Sequence, residues 1–319
     1  MGSARRGPGH GRTSASPRFA RPGSRRPTPG IQLGIPTRRA RQARSSRVRA
    51  GESSRRGVAP CYKGVPVADH ATATTLLLAG VALCAGTIDA IAGGGGLLTV
   101  PALLFAGLPP HLALGTNKGQ SVFGSFAAMI RFARGGFLDR RRAAVACPLG
   151  FLGSAGGAAL VLSISPRILR GVVLALLVGA AAFVALRGGA RPGAQPARPP
   201  IRYALVAAIA LAVGAYDGFF GPGTGTFLIV AFVALLGDGL TAASAAAKVV
   251  NFASNLAAVV LFAFRGVVVW RVALPMAAAQ LLGGWVGAHL TVRRGDRLVR
   301  RAAVVTALAL AAKLAWDMR

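Results

Sequence analysis

From Leu76 onward the chain passes through apolar runs far longer than a soluble core requires. Eight of them, 76–106, 111–134, 143–163, 168–187, 203–236, 240–264, 272–291 and 298–316, approach or exceed the roughly 20 residues that carry an α-helix across a bilayer. Residues 71–319 contain no Glu and only six acids, Asp89, Asp139, Asp217, Asp238, Asp296 and Asp317. A water-soluble domain of that size needs a far more charged surface. The expected fold is therefore all-α and polytopic in the membrane, with about eight transmembrane helices in two sets of four. Residues 76–187 and 203–316 form the sets, and a Pro-, Gly- and Arg-rich linker at 188–202 divides them.

The net charge of +30 conflicts with so apolar a body until it is located. Residues 1–70 hold sixteen Lys or Arg against Glu52 and Asp69. This Arg-, Gly-, Pro- and Ser-rich tail cannot bury enough apolar surface to offset its ordering entropy, so disorder is the expectation. Three origins fit its composition: a leader read from a wrongly assigned start, a transit segment, or a lipid-binding arm. In the first case the native start lies near Val65 or Val67. A specific nucleic-acid partner is not expected despite the basic balance, because the rest of the charge sits in short Arg clusters between apolar runs.

The body repeats itself. Asp89 in Gly-Thr-Ile-Asp-Ala matches Asp217 in Gly-Ala-Tyr-Asp-Gly. The run Gly93–Gly96 matches Gly221-Pro-Gly-Thr-Gly225. Lys118 matches Lys248, and Gly153-x-x-x-Gly157 matches Gly283-x-x-x-Gly287, in the same order and at nearly one offset. Internal duplication is a common plan of membrane transporters, with the substrate held where the repeats meet. If every run crosses once, four crossings per half make the repeats parallel. Arg131, Arg134, Arg140, Arg141 and Arg142 then share a side with Arg187, Arg191, Arg198 and Arg202, and that side should be cytoplasmic. The cluster Arg293, Arg294, Arg297, Arg300 and Arg301 falls on the opposite side, against the rule.

The first run of each half is longer than one straight span and is interrupted by glycines. Gly93, Gly94, Gly95 and Gly96, like Gly221, Gly223, Thr224 and Gly225, read as unwound midpoints whose free amides attract an anion. Tight helix packing is the other reading of such glycines. The body has nineteen Arg but three Lys, two of them at equivalent repeat positions. Steps of three and seven lead from Lys118 to Ser121 and Ser125, and from Lys248 to Asn251 and Asn255, along one helical face. Charges inside a membrane are costly and mark pathways, unless the Lys snorkels to the interface. Asp89 and Asp217, just ahead of the breaks, can pair with a Lys, cap a half-helix or carry a coupling proton. Gln280 either bonds a substrate or bridges helices, and His289 reads as an interface residue. The Gly-x-x-x-Gly stretches read as packing faces, available to a homo-oligomer as well. Cys61, Cys84 and Cys147 and the four His lack metal-ligand or catalytic spacing, so no metal, cofactor or enzymatic chemistry is expected.

These residues resemble the sulfite exporter TauE/SafE family of bacterial membrane proteins. The likeness rests on Ile88-Asp-Ala-Ile-Ala-Gly-Gly-Gly-Gly-Leu-Leu-Thr-Val-Pro101 with Thr116-Asn117-Lys118. In the second half it rests on Tyr216-Asp-Gly-Phe-Phe-Gly-Pro-Gly-Thr-Gly225 with Lys248-Val-Val-Asn-Phe-Ala-Ser-Asn255. It spans roughly 76–316 and leaves the tail without a counterpart. The resemblance implies a multi-pass carrier of the bacterial inner membrane, often linked to sulfite, sulfonates or related organosulfur anions. The leading expectation is a secondary transporter moving a small anion outward between the repeats. In it Lys118 and Lys248 neutralise the anion, the glycine amides bond it, and Asn117, Asn251 and Asn255 orient it. A non-transporting membrane scaffold and a cation or metal carrier are the alternatives.

Overall fold

The structure, a computed structural model, describes residues 72–186 and 199–305. All of them belong to one compact unit, Ala59–Arg319. The tail expected at 1–70, most of the linker and the end of the last apolar run lie outside the described residues.

Among the described residues the fold is helical throughout. The helices are α1 (Thr72–Ala92), α2 (Gly96–Phe105), α3 (Pro110–Arg134), α4 (Arg140–Ser163) and α5 (Pro166–Leu186), then α6 (Pro199–Phe219), α7 (Thr224–Leu236), α8 (Leu240–Phe264) and α9 (Trp270–Arg294). A further helical stretch covers 296–305. The α6 helix starts inside the expected linker, because Pro199 and Pro200 occupy its first turn, where a missing amide proton costs nothing. Asp139 begins α4 by accepting hydrogen bonds from the amides of Arg141 and Arg142. Five helices, α1, α4, α5, α6 and α8, are long and apolar enough to cross a membrane. The α3 and α9 helices have 25 residues each but carry polar side chains along their buried face. The α2 and α7 helices are short, at 10 and 13 residues. At about 1.5 Å per residue α2 reaches only about halfway through a hydrocarbon core of about 30 Å.

The contacts fix the direction of each helix. Gly283 packs on the carbonyl of Leu83 and Gly287 on that of Thr87, so α9 runs parallel to α1. Gly119 meets Ala273, Gly124 meets Gln280 and Gly135 meets Val292, so α3 is parallel to α9. Gly153 packs on Leu211 and Gly157 on Ala215, so α4 is parallel to α6. Gly150 meets Val250 and Ser154 donates to Ser254 O, so α4 is parallel to α8 as well. The α3 and α8 helices are antiparallel: Lys118 bonds Asn255, and the Val269 amide just beyond α8 donates to Thr116 near the start of α3. Thus α1, α3 and α9 point one way and α4, α6 and α8 the other.

This pattern overturns the expectation that runs 76–106 and 203–236 each cross once. The turn at 106–109 joins α2 to α3, and Thr99 donates to Asn117 across them at 2.5 Å, so α2 is antiparallel to α3 and to α1. The α1–α2 segment is a hairpin that folds back at Gly93–Gly95. The α7 helix, tied to α8 through residues 237–239, doubles back along α6 in the same way. Consequently α9 ends on the face where α3 ends and α4 begins: Gly135 abuts Val292, and Arg131 Nε donates to His289 Nδ1 at 3.0 Å. The Arg293–Arg301 cluster therefore shares the face of Arg131–Arg142, and its expected placement on the opposite side is wrong. Arg202 joins the same face, since it and Arg142 both bond Asp238.

Lipid is as apolar as the helices, so burial does not drive their association there; close packing does. A Cβ on Gly153 or Gly157 would collide with the carbonyls of Leu211 and Ala215, and one on Gly283 or Gly287 with those of Leu83 and Thr87. The expected packing role of the paired Gly-x-x-x-Gly stretches is what these contacts display. Large side chains such as Phe105, Phe264, Leu76 and Leu77 stay exposed, as suits a surface facing acyl chains.

Candidate functional site

Two hairpin tips meet at the middle of the α3–α8 crossing. Gly93 sits directly against Gly225 and Thr226, where no Cβ would fit, and both Gly93 and Gly94 have positive φ, 77° and 92°. That backbone is reserved in practice for glycine. The last carbonyls of α1 lack helical partners and find them across the interface. Thr226 donates to Ala92 O at 3.1 Å, and Ser244 donates to Ile91 O at 3.1 Å.

Around the tips four charges form two pairs, each joining a hairpin of one half of the chain to a helix of the other. Lys118 on α3 donates to Asp217 on α6 at 2.7 Å, and Lys248 on α8 donates to Asp89 on α1 at 2.7 Å. The lysines are 2% and 0% exposed, which excludes the snorkelling reading for both. The aspartates pair with lysines, one of the roles their position suggested. Each also accepts a hydrogen bond at the start of its own half-hairpin return: Asp89 from the Gly95 amide ahead of α2 at 3.2 Å, and Asp217 from the hydroxyl of Thr224, the first residue of α7, at 2.9 Å. The four charges sum to zero. A lone charge this deep would be strongly disfavoured, so each ion needs its partner.

The candidates converge. Gly94, Gly96, Asn117, Lys118, Gly221, Gly223, Thr224, Gly225, Asn251 and Asn255 line one small polar cavity together with Asp89 and Asp217. Gly93, Gly95 and Lys248 stand just behind it: Gly93 in the tip contact, Gly95 against Asp89, and Lys248 reaching the cavity's edge through Asp89. The cavity measures about 20 Å³, room for about one water. Several participants escaped the sequence reading. Ser254 donates to Asp217, Tyr216 donates to Pro222 O at 2.7 Å, and Gln120 donates to Asn117 at 3.0 Å. Nothing in the spacing of Ser254 or Gln120 marks them. Gln280, left open between two roles, lines the cavity, and its buried Oε1 has no partner among the described residues. The Asn251 Oδ1 is likewise unpaired. Among the described residues no His, Cys, Asp or Glu cluster suits a metal ion.

An array of paired charges and buried side-chain amides at a break between half-helices can hold a small ion away from lipid. Residues 78–314 match the family described as Sulfite exporter TauE/SafE. A probable membrane transporter protein of Haemophilus influenzae is 39% identical over 239 residues, covering 74% of this chain and 92% of that one. The probable membrane transporter protein ORF9 of a Sinorhizobium species is 38% identical over 239 residues, covering 74% and 90%. The probable membrane transporter protein YfcA of Escherichia coli is 38% identical over the same length, covering 74% and 88%. No solved structure matches the chain. The chain is an all-α, multi-pass membrane protein and belongs to the sulfite exporter TauE/SafE family.

Proposed function

We propose that the protein is a secondary transporter of a small anion, a sulfur-containing oxyanion or organosulfonate, which it carries between the two hairpin tips. The single observation that carries this reading is the buried cavity lined by Lys118, the hairpin glycines and the side-chain amides of Asn251 and Gln280, with Lys248 at its edge through Asp89. Asn117, Asn251 and Asn255 orient the anion, and the two buried Lys–Asp pairs offer the lysine ammonium that is its countercharge. A volume of about 20 Å³ is too small for an oxyanion of sulfur, so loading requires the tips to part. The family's description supports the choice of sulfur chemistry.

The architecture that fits this function is a duplication: each half is a re-entrant hairpin followed by helices that cross. Equivalent helices run in opposite directions, α1 against α6, α3 against α8 and α4 against α9, which supports inverted rather than parallel repeats. An inverted pair offers the same hairpin to each side of the membrane, the symmetry that alternating access uses. The face with Arg131–Arg142, Arg202 and Arg293–Arg301 is the cytoplasmic one by the positive-inside tendency, in a bacterial inner membrane.

Sulfite flux in proteoliposomes tests the proposal, with taurine and thiosulfate as competitors. The Lys118→Ala/Lys248→Ala protein, confirmed folded by its elution as a monodisperse species, is expected to lose about 90% of flux or more, on the order expected when a buried charge pair is broken. Wild-type rates in that variant would defeat the proposal.

A further inference from the structure

The two ion pairs occupy equivalent places but are not equally held. Asp217 accepts from Lys118 and from the hydroxyls of Thr224 and Ser254, and its side chain is 5% exposed. Among the described residues Asp89 accepts only from Lys248 and the Gly95 amide, and its side chain is 20% exposed. The repeat explains the difference residue by residue. Counted from the Asp89–Asp217 match, the position equivalent to Thr224 is Gly96. Counted from the Lys118–Lys248 match, the position equivalent to Ser254 is Gly124. Both hydroxyls that saturate Asp217 are thus deleted around Asp89. Gly124 instead leaves room for Gln280, whose side chain fills the space a Cβ would take. Lys118 is also held by Asn255 at 3.0 Å, whereas Ser125, at the place matching Asn255, donates back to its own helix.

We infer that Asp89 is the proton-carrying carboxylate of the transporter and that Lys248 is the ammonium the anion occupies, while Lys118–Asp217 remains a fixed tie. The inference rests on the transport reading. Protonation has to displace donors already on the carboxylate: Asp217 holds three and Asp89 two, and the partial exposure of Asp89 gives a proton a route to it that Asp217 lacks. Protonation turns Asp89 into a neutral acid and releases Lys248, whose ammonium then binds the anion in place of the carboxylate. One proton and one monoanion enter together, so the site stays neutral. The anion alone would leave an uncompensated negative charge in a low-dielectric interior. The charged groups facing Asp89 are Lys248 from α8, Lys118 from α3 and Asp217 from α6. Among the described residues the turn ahead of α2, and α7 and α9, present to it only neutral groups: the Gly95 amide, Gly225 and Gln280.

The test measures radiolabelled sulfite and a trapped pH dye in the same proteoliposomes of the full chain, buffered on both sides well below the ionisation of hydrogensulfite, so that the carried species is the monoanion and releases no proton of its own. Wild type is expected to move protons and sulfite in a ratio near one, with flux rising when the sulfite side is acidified. In Asp89→Asn the proton-to-sulfite ratio is expected to fall at least tenfold, whereas in Ser254→Ala it stays near one. An unchanged ratio in Asp89→Asn, or loss of coupling in Ser254→Ala instead, overturns the assignment. Because an Asp89 variant can fail to fold, wild-type protein is also treated with an apolar carbodiimide, which attacks protonated carboxyls, and mapped by mass spectrometry. An adduct on Asp89 that outweighs any on Asp217 at least tenfold is expected; the reverse preference refutes the inference. Sulfite counterflow without proton movement overturns only the coupling. Absence of sulfite, taurine and thiosulfate counterflow in wild type overturns the transport reading itself.

Discussion

If the Lys118–Asp217 pair is a fixed tie, breaking it and removing it should have opposite consequences. Lys118 is buried with its ammonium on Asp217 at 2.7 Å and on Asn255 at 3.0 Å. Lys118→Met leaves the Asp217 carboxylate charged among Thr224 and Ser254 with no cation in contact. Stranding one member of a buried pair costs about 3–5 kcal/mol. For a domain of this size, at about 2–4 °C per kcal/mol, the melting temperature should fall by roughly 10 °C. Lys118→Met/Asp217→Leu removes both charges with little change of volume, and such replacements are near neutral or stabilising by about 1–4 kcal/mol. The double variant should therefore recover most of the loss, less the hydroxyl partners it strands. Thermal unfolding in one detergent, followed by intrinsic tryptophan fluorescence, compares the three proteins. A double variant no more stable than Lys118→Met would refute the reasoning, because it would mean that the lysine's packing rather than its charge holds α3 to α6.

Two further outcomes follow from contacts elsewhere. A methyl group at Gly157 or Gly287 meets helix backbone, at the Ala215 and Thr87 carbonyls, which cannot yield like a side-chain end. Gly157→Ala and Gly287→Ala should each cost about 1–3 kcal/mol, seen as lower melting temperatures, while Gly156→Ala, with open space around it, should change little. Asp296, at the turn after α9, accepts from the Leu240 amide and from the amide and hydroxyl of Thr241 at the start of α8. Burial alone would raise its carboxyl, but the Thr241 and Leu240 bonds, with Arg300 nearby, outweigh it and hold the group below the usual carboxylate range. Its contribution is thus full above the unfolded value and is lost as pH falls through the folded one. Asp296→Asn should flatten the part of the stability profile below about pH 4 and shift it little at pH 7 beyond a constant offset. Equal acid sensitivity in variant and wild type would rule this out.

The residues that line the cavity were legible because their chemistry is out of place. Lys118, Lys248, Asp89 and Asp217 are conspicuous in an apolar body, and glycine runs have few uses inside a membrane. Direction was not legible. The length of run 76–106 reports how much chain is apolar, and it is the same whether α2 continues α1 or returns along it. Gly93 and Gly94 permit the reversal without announcing it. That one ambiguity propagated: with both long runs read as single crossings, the final Arg cluster fell on the wrong face. The chain's own Arg distribution was the sign of the error, since one added reversal per half brings all the clusters together. Ser254 was invisible for a different reason. A serine among the alanines of α8 acquires meaning only through Asp217, 37 residues earlier.

The crossing of the ion pairs between halves also bears on why the charges recur in sequence. Within one half, Asp89 and Lys118 are separated by the α2 return and end on different partners. Neither half buries a neutral pair by itself; each supplies one ion to each of two pairs, which close where the hairpin tips meet. In the proposed inverted arrangement a substitution at any of the four positions strands a charge belonging to the other half. That requirement keeps both pairs present but does not keep them alike. Once a pair exists, its hydroxyl neighbours can differ, as Thr224 and Ser254 differ from Gly96 and Gly124. A symmetric frame can thus hold one rigid tie and one exchangeable pair, and the direction of exchange is then set by the gradients across the membrane rather than by the frame.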